Sequence, residues 1–274
     1  MNPSLLLAFC SLLESNVGIS LDLSKEYLVR ARLDPLAKAN GFADCEKLLE
    51  NLIATALSPL HWKAFEAMAT HETFFFRDDY PFGMIRETLL PELIAARKDT
   101  RRLNIWCAAA STGQEPYSLA MILEDFQTEL RGWSVNILAT DISDSALEVG
   151  RKGIYSALDT NRGLNQKQID RFFTVTASGA YQISRQLRSV IEFRTLNLIN
   201  AWGLLPKFDL ILIRNVLIYF NREHRDLVLN KMHAQLADEK SYLMLGSSES
   251  IFSETTQYQN LRIGRGSVYR KSPR

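Results

Sequence analysis

Apolar positions in residues 4 to 75 recur at three- and four-residue intervals: Leu5, Leu6, Phe9, Leu12 and Leu13, then Tyr27, Leu28 and Leu36, then Leu48, Leu49, Leu52 and Ile53. That is the period of helices with one buried stripe. Asn40-Gly41 and Ser58-Pro59 divide the region into about four short helices. Residues 81 to 97 read as a connecting helix that ends in a charged turn, Arg97 to Arg102. From Leu103 the pattern becomes strand, helix, strand. Strand 103 to 108 leads to helix 115 to 130, strand 134 to 140 ends at Asp141, and a helix runs from Ser143 or Asp144 to about Lys152. Strand 208 to 213 ends in Arg214-Asn215; helix 222 to 237, strand 241 to 246 and a hairpin turning at Gly264-Arg265-Gly266 follow. This alternation predicts a parallel sheet with helices on both faces. Ligands of such sheets sit at the carboxyl ends of the strands, so the loops after 108, 140, 197, 213 and 246 carry the interest. Residues 171 to 197 interrupt the alternation with three consecutive short strands (172 to 176, 180 to 183, 190 to 195) and a turn at Ala177-Ser178-Gly179, which predicts a small antiparallel excursion. The expected organisation is an all-α domain over 1–75, a linker and connecting helix over 76–100, and an α/β domain over 101–274 with a β-subdomain at about 171–195.

The stretch Leu103 to Ser118 organises the rest. A strand breaks into small residues, Ala108 to Gly113 with Ala110 among them, and a helix start follows, with Ser111 or Thr112 as cap and Pro116 in the first turn. Small side chains let backbone N–H groups approach a ligand, and a helix N-terminus favours electron-rich groups. No Lys-Ser or Lys-Thr follows the glycine, so the loop is not a P-loop, and it lacks the G-x-G-x-x-G of a dinucleotide site. Asp141 closes the second strand, where a carboxylate takes ribose hydroxyls or caps the next helix. Glu115 suits a cationic amine and would repel a phosphate. The expected ligand is an adenosine without a pyrophosphate.

Composition changes this picture little. The chain has 274 residues, 46% hydrophobic and 23% charged, as in ordinary globular proteins. A net charge of +1 without a basic stripe weighs against a nucleic-acid partner. Cys10, Cys45 and Cys107 are scattered in apolar surroundings, which predicts free thiols in a reducing cytoplasm. His61, His71, His224 and His233 lack metal-ligand spacing, and no metal is expected. No export signal is read at the start, and no apolar run approaches the ~20 residues of a membrane span.

Five motifs in order carry a resemblance. Thr70 to Arg77 resembles the N-E-T-x-F-F-R signature of CheR-type chemotaxis receptor methyltransferases, and Ser111-Thr112-Gly113-Gln114-Glu115-Pro116-Tyr117-Ser118 resembles their S-T-G-E-E-P-Y-S. Ala139-Thr140-Asp141-Ile142, Asn197-Leu198 and Arg214-Asn215-Val216-Leu217-Ile218-Tyr219-Phe220 are similar to their later motifs, and Gly18-Ile19 through Gly41 to their helical domain. The resemblance implies a Rossmann-like methyltransferase fold with S-adenosylmethionine as cofactor and S-adenosylhomocysteine as product. It implies a chemoreceptor glutamate side chain as acceptor and a glutamyl methyl ester as product. By motif position, His71, Thr73, Arg77, Ala110, Glu115, Asp141, Asn197, Leu198, Asn215 and Val216 bind the cofactor. Thr73 and Arg77 reach its methionine end, for which Gly113 makes room, Glu115 its amino group, Asp141 the ribose and Asn197-Leu198 the adenine, while Asn215-Val216 lines the floor. Arg77 and Tyr219 are the catalytic expectations. Two departures stand out: His71 replaces an Asn, and Gln114 replaces the first Glu of the pair.

The implied reaction needs little acid–base machinery. A glutamate with a pKa of ~4.3 is already an anionic nucleophile at neutral pH, so alignment and water exclusion are the expected work of the enzyme. In the family this β-subdomain can bind a receptor's C-terminal pentapeptide tether where its loop is longer; the resemblance together with the short turn Thr174 to Ala180 implies tether-independent recognition, with Arg30 and Arg32 of the basic segment Lys25 to Lys38 as partner contacts. The protein is expected as a cytoplasmic monomer without membrane insertion, recruited to membrane receptor arrays. A methyltransferase for another acceptor and a catalytically idle cofactor-binding adaptor are the alternatives.

Overall fold

Helix caps and buried stripes shape the N-terminal region as its periodicity requires. The computed structural model describes residues 1–251 and 257–272. One unit consists of Met1–Thr70, Asn197–Ala201 and Ile218–Val228; the other holds His71–Leu196, Trp202–Leu217 and the chain from Leu229 on.

In the first unit α1 (Pro3–Val17) starts where Asn2 accepts the Ser4 N–H at 2.9 Å, and it buries Leu6, Phe9, Cys10, Leu13 and Val17. It stops at Gly18, left-handed at φ +80°, whose N–H returns to the Glu14 carbonyl at 2.9 Å. α2 (Glu26–Ala39) packs on α3 (Cys45–Ala54) and on α4 (Pro59–Met68). His61 is fully buried for a structural reason: Nδ1 accepts the Ser58 N–H at 3.1 Å in a capping box, and Nε2 lies 2.7 Å from the Leu52 carbonyl. The excursions 197–201 and 218–228 fold against the end of α1. The Ser20 N–H donates to the Tyr219 carbonyl at 2.8 Å, Ile19 bridges Phe220, and the Asn197 amide donates to the Asn16 carbonyl at 2.6 Å.

The second unit opens with α5 (Tyr80–Met84), a π-helical turn at Ile85–Leu89 and α6 (Leu90–Ala96). Its strands are β1 (Arg102–Ala108), β2 (Ser134–Asp141), β3 (Ile154–Tyr155), β4 (Phe173–Val175), β5 (Tyr181–Ile183), β6 (Ile191–Thr195), β7 (Leu210–Ile213), β8 (Tyr242–Leu245), β9 (Tyr258–Ile263) and β10 (Gly266–Lys271). The main sheet has the order β6-β2-β1-β7-β8-β10-β9; the first five strands run parallel, and β10 and β9 form the antiparallel hairpin at the edge. Interspersed helices are α7 (Gln114–Asp125), α8 (Asp144–Lys152), α9 (Ala157–Asn161), α10 (Gln166–Phe172), α11 (Arg185–Ser189) and α12 (Arg222–Gln235). The register Ala108↔Thr140 and Ala108↔Ile213 brings the ends of β2, β1 and β7 side by side.

Two expectations are corrected. The segment at 190 to 195 is no part of the antiparallel excursion: as β6 it lies parallel to β2, from Ile137↔Ile191 to Asp141↔Thr195. The five-residue α11, started by Ser184, separates β5 from β6, and it is too short to show a period in the sequence. The small sheet takes Ile154–Tyr155 as its third strand instead, in the order β3-β5-β4. α7 also ends at Asp125, short of 130, because residues 126 to 133 turn so that Phe126, Leu130 and Trp133 cover the core. Cys10, Cys45 and Cys107 are free and buried. Among the described residues no helix is long and apolar enough to cross a membrane.

At the amino ends of the strands Arg97 ties the connecting helix to the sheet. Its Nε donates to Asp209 Oδ1 at 2.5 Å and its Nη2 to Asp238 Oδ1 at 2.9 Å, while Asp209 Oδ2 accepts the Asn104 N–H at 2.8 Å. The side chains of Arg97 and Asp209 are only 12% and 6% exposed. Removing the cation leaves a buried carboxylate without its counterion. Arg97→Met should therefore cost about 3 kcal/mol, read as a lower urea midpoint at unchanged slope.

Candidate functional site

The segment 71–79 carries three left-handed non-glycine residues, Phe76 at φ +52°, Asp78 at +70° and Asp79 at +53°. Such a backbone persists only when its surroundings hold it, and here every stretch of it is held. Ser111 Oγ donates to the His71 carbonyl at 2.9 Å, and the Phe76 N–H donates to Ser118 Oγ at 2.9 Å. Arg162 pairs with Glu72 at 2.5 Å and lies 4.2 Å over the Phe74 ring. Phe75 is fully buried, with its ring edge-on to Tyr155 and Phe173. Gly163, at φ +98°, sits so close that an added Cβ would lie 1.8 Å from the Phe75 carbonyl oxygen. The side chains of His71, Thr73 and Arg77 are half-buried on this fixed backbone. Arg77 donates to the Glu72 carbonyl at 2.5 Å and stands 5.9 Å over Phe74.

The loop after β1 gets its shape from two alanine-sized positions. Ala109 (φ +69°) and Ser111 (φ +50°) are left-handed, and the Ala110 N–H donates to the Thr140 carbonyl at 2.8 Å. The expected cap is corrected: Gly113 is the N-cap, Ser111 is turned to His71, and the Thr112 hydroxyl donates to Gln114 Oε1 at 2.7 Å. The reading of Gly113 is corrected too. A Cβ there would lie 3.0 Å from Gly150 Cα, 3.2 Å from the Tyr155 hydroxyl and 3.3 Å from the Phe193 ring, so the space its missing side chain leaves is taken up by packing within the protein.

Two buried carboxylates stand at neighbouring strand ends. Asp141, the last residue of β2, accepts the Ser111 N–H on Oδ2 at 2.8 Å and the Ser143 N–H on Oδ1 at 3.0 Å. Burial pushes its carboxyl up, and those N–H groups pull it back toward ionisation. Glu115 lies in the first turn of α7. Burial raises its pKa as well, and the Arg214 guanidinium opposes that shift first among several groups, the Cys107 thiol and Arg77 included. Arg214 follows β7 with a side chain only 2% exposed. It donates to Glu115 Oε2, to Asp78 Oδ2 and to the Arg77 carbonyl, each at 2.9 Å, and its guanidinium stands 5.5 Å over the Phe82 ring.

Next to Arg214, Asn215 is left-handed at φ +57°. Its N–H and that of Gly246 both donate to Glu249 Oε2 at 2.8 Å, so one carboxylate joins the loops after β7 and β8. Val216 follows, half-buried. The structure thus brings His71, Thr73, Arg77, Ala110, Glu115, Asp141, Asn215 and Val216 into the second unit, and it counts Asn197, Leu198, Tyr219, Arg30 and Arg32 with the first. Both polar atoms of the Asn197 side chain are engaged within the first unit: Oδ1 accepts the Ile199 N–H of its own loop at 3.2 Å, and Nδ2 donates to the Asn16 carbonyl of α1. Arg32 donates to the Met68 carbonyl at 2.5 Å and the Ala69 carbonyl at 2.9 Å, holding the end of α4, and Arg30 donates to Glu26 at 2.7 Å. Among the described residues no group of three or more acidic, histidine or cysteine side chains is placed to hold a metal.

Sequence reasoning missed Arg214, Asp78, Ser118, Gly163 and Glu249 as members of this arrangement. Arg214 was within reach: an arginine closing the apolar run Leu210 to Ile213 must find counterions if its strand is buried. Ser118, Gly163 and Glu249 act on backbone atoms that no residue pattern identifies, and Asp78 meets the side chains of Arg214 and Ser247, both distant in sequence.

Residues 71–266 match the family model described as CheR methyltransferase, SAM binding domain. The chain is 41% identical over 264 residues to "Chemotaxis protein methyltransferase 1" of Vibrio cholerae, covering 96% of this chain and 94% of that protein. It is 39% identical to "Chemotaxis protein methyltransferase 1" of Pseudomonas aeruginosa, covering 94% of each. It is 34% identical to "Chemotaxis protein methyltransferase" of Salmonella typhimurium, covering 92% of this chain and 85% of that protein.

The grip of Gly163 on the segment can be separated from ordinary glycine strain. Gly179→Ala, at φ +80° with nothing within 4 Å, should cost about 1 kcal/mol. Gly163→Ala, which meets the Phe75 carbonyl, should cost at least about 2 kcal/mol more. Equal losses in chemical denaturation would remove the clamp from the account.

Proposed function

This chain belongs to the CheR methyltransferase family, and on that premise we propose that it transfers a methyl group from S-adenosylmethionine to glutamate side chains of chemoreceptor cytoplasmic domains, giving glutamyl methyl esters in chemotactic adaptation. The observation that carries the reading is the pair of buried carboxylates Glu115, in the first turn of the helix that follows β1, and Asp141, at the end of the neighbouring β2. The residues present suit this cofactor. Glu115 has a thiol and one guanidinium as side-chain partners, which leaves lone pairs for an ammonium group. Asp141 uses backbone N–H groups and retains acceptor capacity for two hydroxyls. A phosphate would meet both carboxylates and be repelled. Bound there, S-adenosylmethionine supplies an electrophilic methyl group.

The chain's own contribution is placement. Thr73 and Arg77 lie on a backbone fixed from several sides, so their side chains start from one position. The acceptor carboxylate needs no base, being ionised at neutral pH, and Arg77 is the cation of the 71–79 segment suited to orient it. Holding it too firmly would favour the ground state over the transition state. The half-buried setting of Arg77, stacked and singly bonded, moderates that grip.

The enzyme works as a monomer in the cytoplasm beside receptor arrays and recognises receptor without a C-terminal tether. In support, the β4–β5 turn is short and closed on itself: the Thr176 N–H donates to the Ala180 carbonyl at 2.7 Å and the Gly179 N–H to the Thr176 carbonyl at 2.9 Å. The receptor contact is the exposed face of α2, where Tyr27 is 66% exposed and Arg30 keeps part of its charge at the surface. Micromolar binding of a tether pentapeptide in calorimetry would contradict this.

Incubation with labelled S-adenosylmethionine and receptor-containing membranes should give base-labile methyl ester on receptor; label in nucleic acid, or none, would reject the reading. Arg77→Ala should lower turnover by about tenfold to a hundredfold with folding intact, measured as initial rates of receptor labelling. Glu115→Gln should weaken S-adenosylhomocysteine by about tenfold or more, measured by calorimetry.

A further inference from the structure

The family reading assigns contacts to Glu115 and Arg77 and leaves the residue that joins them without a role. We infer that Arg214 is a positioning residue of the methyl transfer: its buried guanidinium is the counterion that readies Glu115 for the cofactor's ammonium group, and it fixes the backbone that presents Arg77. The inference rests on the reading of Glu115 as the amino-group partner.

The geometry supports both halves. One nitrogen, Nη1, serves Glu115; the other, Nη2, serves Asp78 and the Arg77 carbonyl, all at 2.9 Å. A planar fork reaches two elements at once, which a point-like ammonium cannot do. The groups facing Glu115 are Arg214 from the end of β7, Cys107 from β1 and Arg77 from the 71–79 segment, with Asp78 beyond Arg214. Of these Arg214 is the cation bonded to the carboxylate. Burial alone drives Glu115 toward its neutral form. A protonated Glu115 would bind an ammonium group poorly, because its charge is gone. Asp78 is the looser partner: its side chain is 27% exposed and also accepts from the Ser247 hydroxyl at 3.1 Å. The Asp78 and Arg77 contacts therefore set the course of the strained backbone, while the Glu115 contact sets a charge.

The test reads binding as well as turnover. Calorimetry of S-adenosylhomocysteine with the full chain from pH 6 to 8 should give a nearly flat profile for the unaltered protein. Arg214→Gln should bind at least about tenfold more weakly at pH 6 and regain affinity as the pH rises. Glu115→Gln should be weak and flat throughout. A profile for Arg214→Gln parallel to that of the unaltered protein overturns the charge role. Full affinity in Glu115→Gln would instead show that the parent reading of Glu115 had failed. Arg214→Lys keeps a charge without the fork, and it decides the matter if Arg214→Gln does not fold. It should change KM for S-adenosylmethionine less than about threefold while lowering kcat at least about tenfold. An unchanged kcat overturns the inference.

Discussion

A guanidinium buried to 2% exposure is tolerable only where carboxylates and carbonyls surround it. Arg214 meets that condition with atoms from two places in the chain: Glu115 at the start of α7, and the neighbours Arg77, through its carbonyl, and Asp78. Much else follows from the constraint. β7 has to end beside α7, which the register Ala108↔Ile213 provides. The 71–79 segment has to bend back over the strand ends, and it does so through three left-handed residues. Those costs of order 1 kcal/mol or more each are offset by the serine, arginine and glycine contacts that hold the segment along its length. A loop so held is a rigid carrier for Thr73 and Arg77, the property a positioning enzyme needs.

The broad architecture was legible because period and punctuation are local. Strand-helix alternation after Leu103, Asp141 at a strand end and the hairpin at Gly264 to Gly266 all stand in the structure as the sequence pattern indicates. The segment at 190 to 195 was misplaced because a strand does not declare its sheet. Its partner β2 lies some fifty residues back, and the five-residue α11 that separates it from β5 is shorter than two helical turns. The cap of α7 was misread for a different reason. Ser111 and Thr112 have suitable hydroxyls, but His71 and Gln114 compete for them and win.

The glycines show where pattern reading fails more sharply. A glycine in a ligand loop suggests room for the ligand, yet Gly113 faces Gly150, Tyr155 and Phe193 within the protein. The left-handed turns of that loop fall on Ala109 and Ser111, which carry side chains. Gly163, in a region without any motif, has the closest approach to another backbone. Sequence shows that a position is free of a side chain; it does not show what occupies the space.

The two departures from the family motifs can be weighed on the same footing. Gln114 offers Oε1 to the Thr112 hydroxyl, a bond that a glutamate could accept equally well, so the replacement removes a charge and keeps the local hydrogen bond. Removing that charge also lightens the negative field at the start of α7, where Glu115 and Asp78 already share Arg214. Residue 71 enters the local network through its main-chain carbonyl, which takes the Ser111 hydroxyl, a bond open to any residue there, while the His71 side chain is among the groups that favour the charged form of Asp141. Both changes therefore leave standing what the site depends on: a carboxylate with Arg214 as its counterion, and a backbone held in place for Arg77.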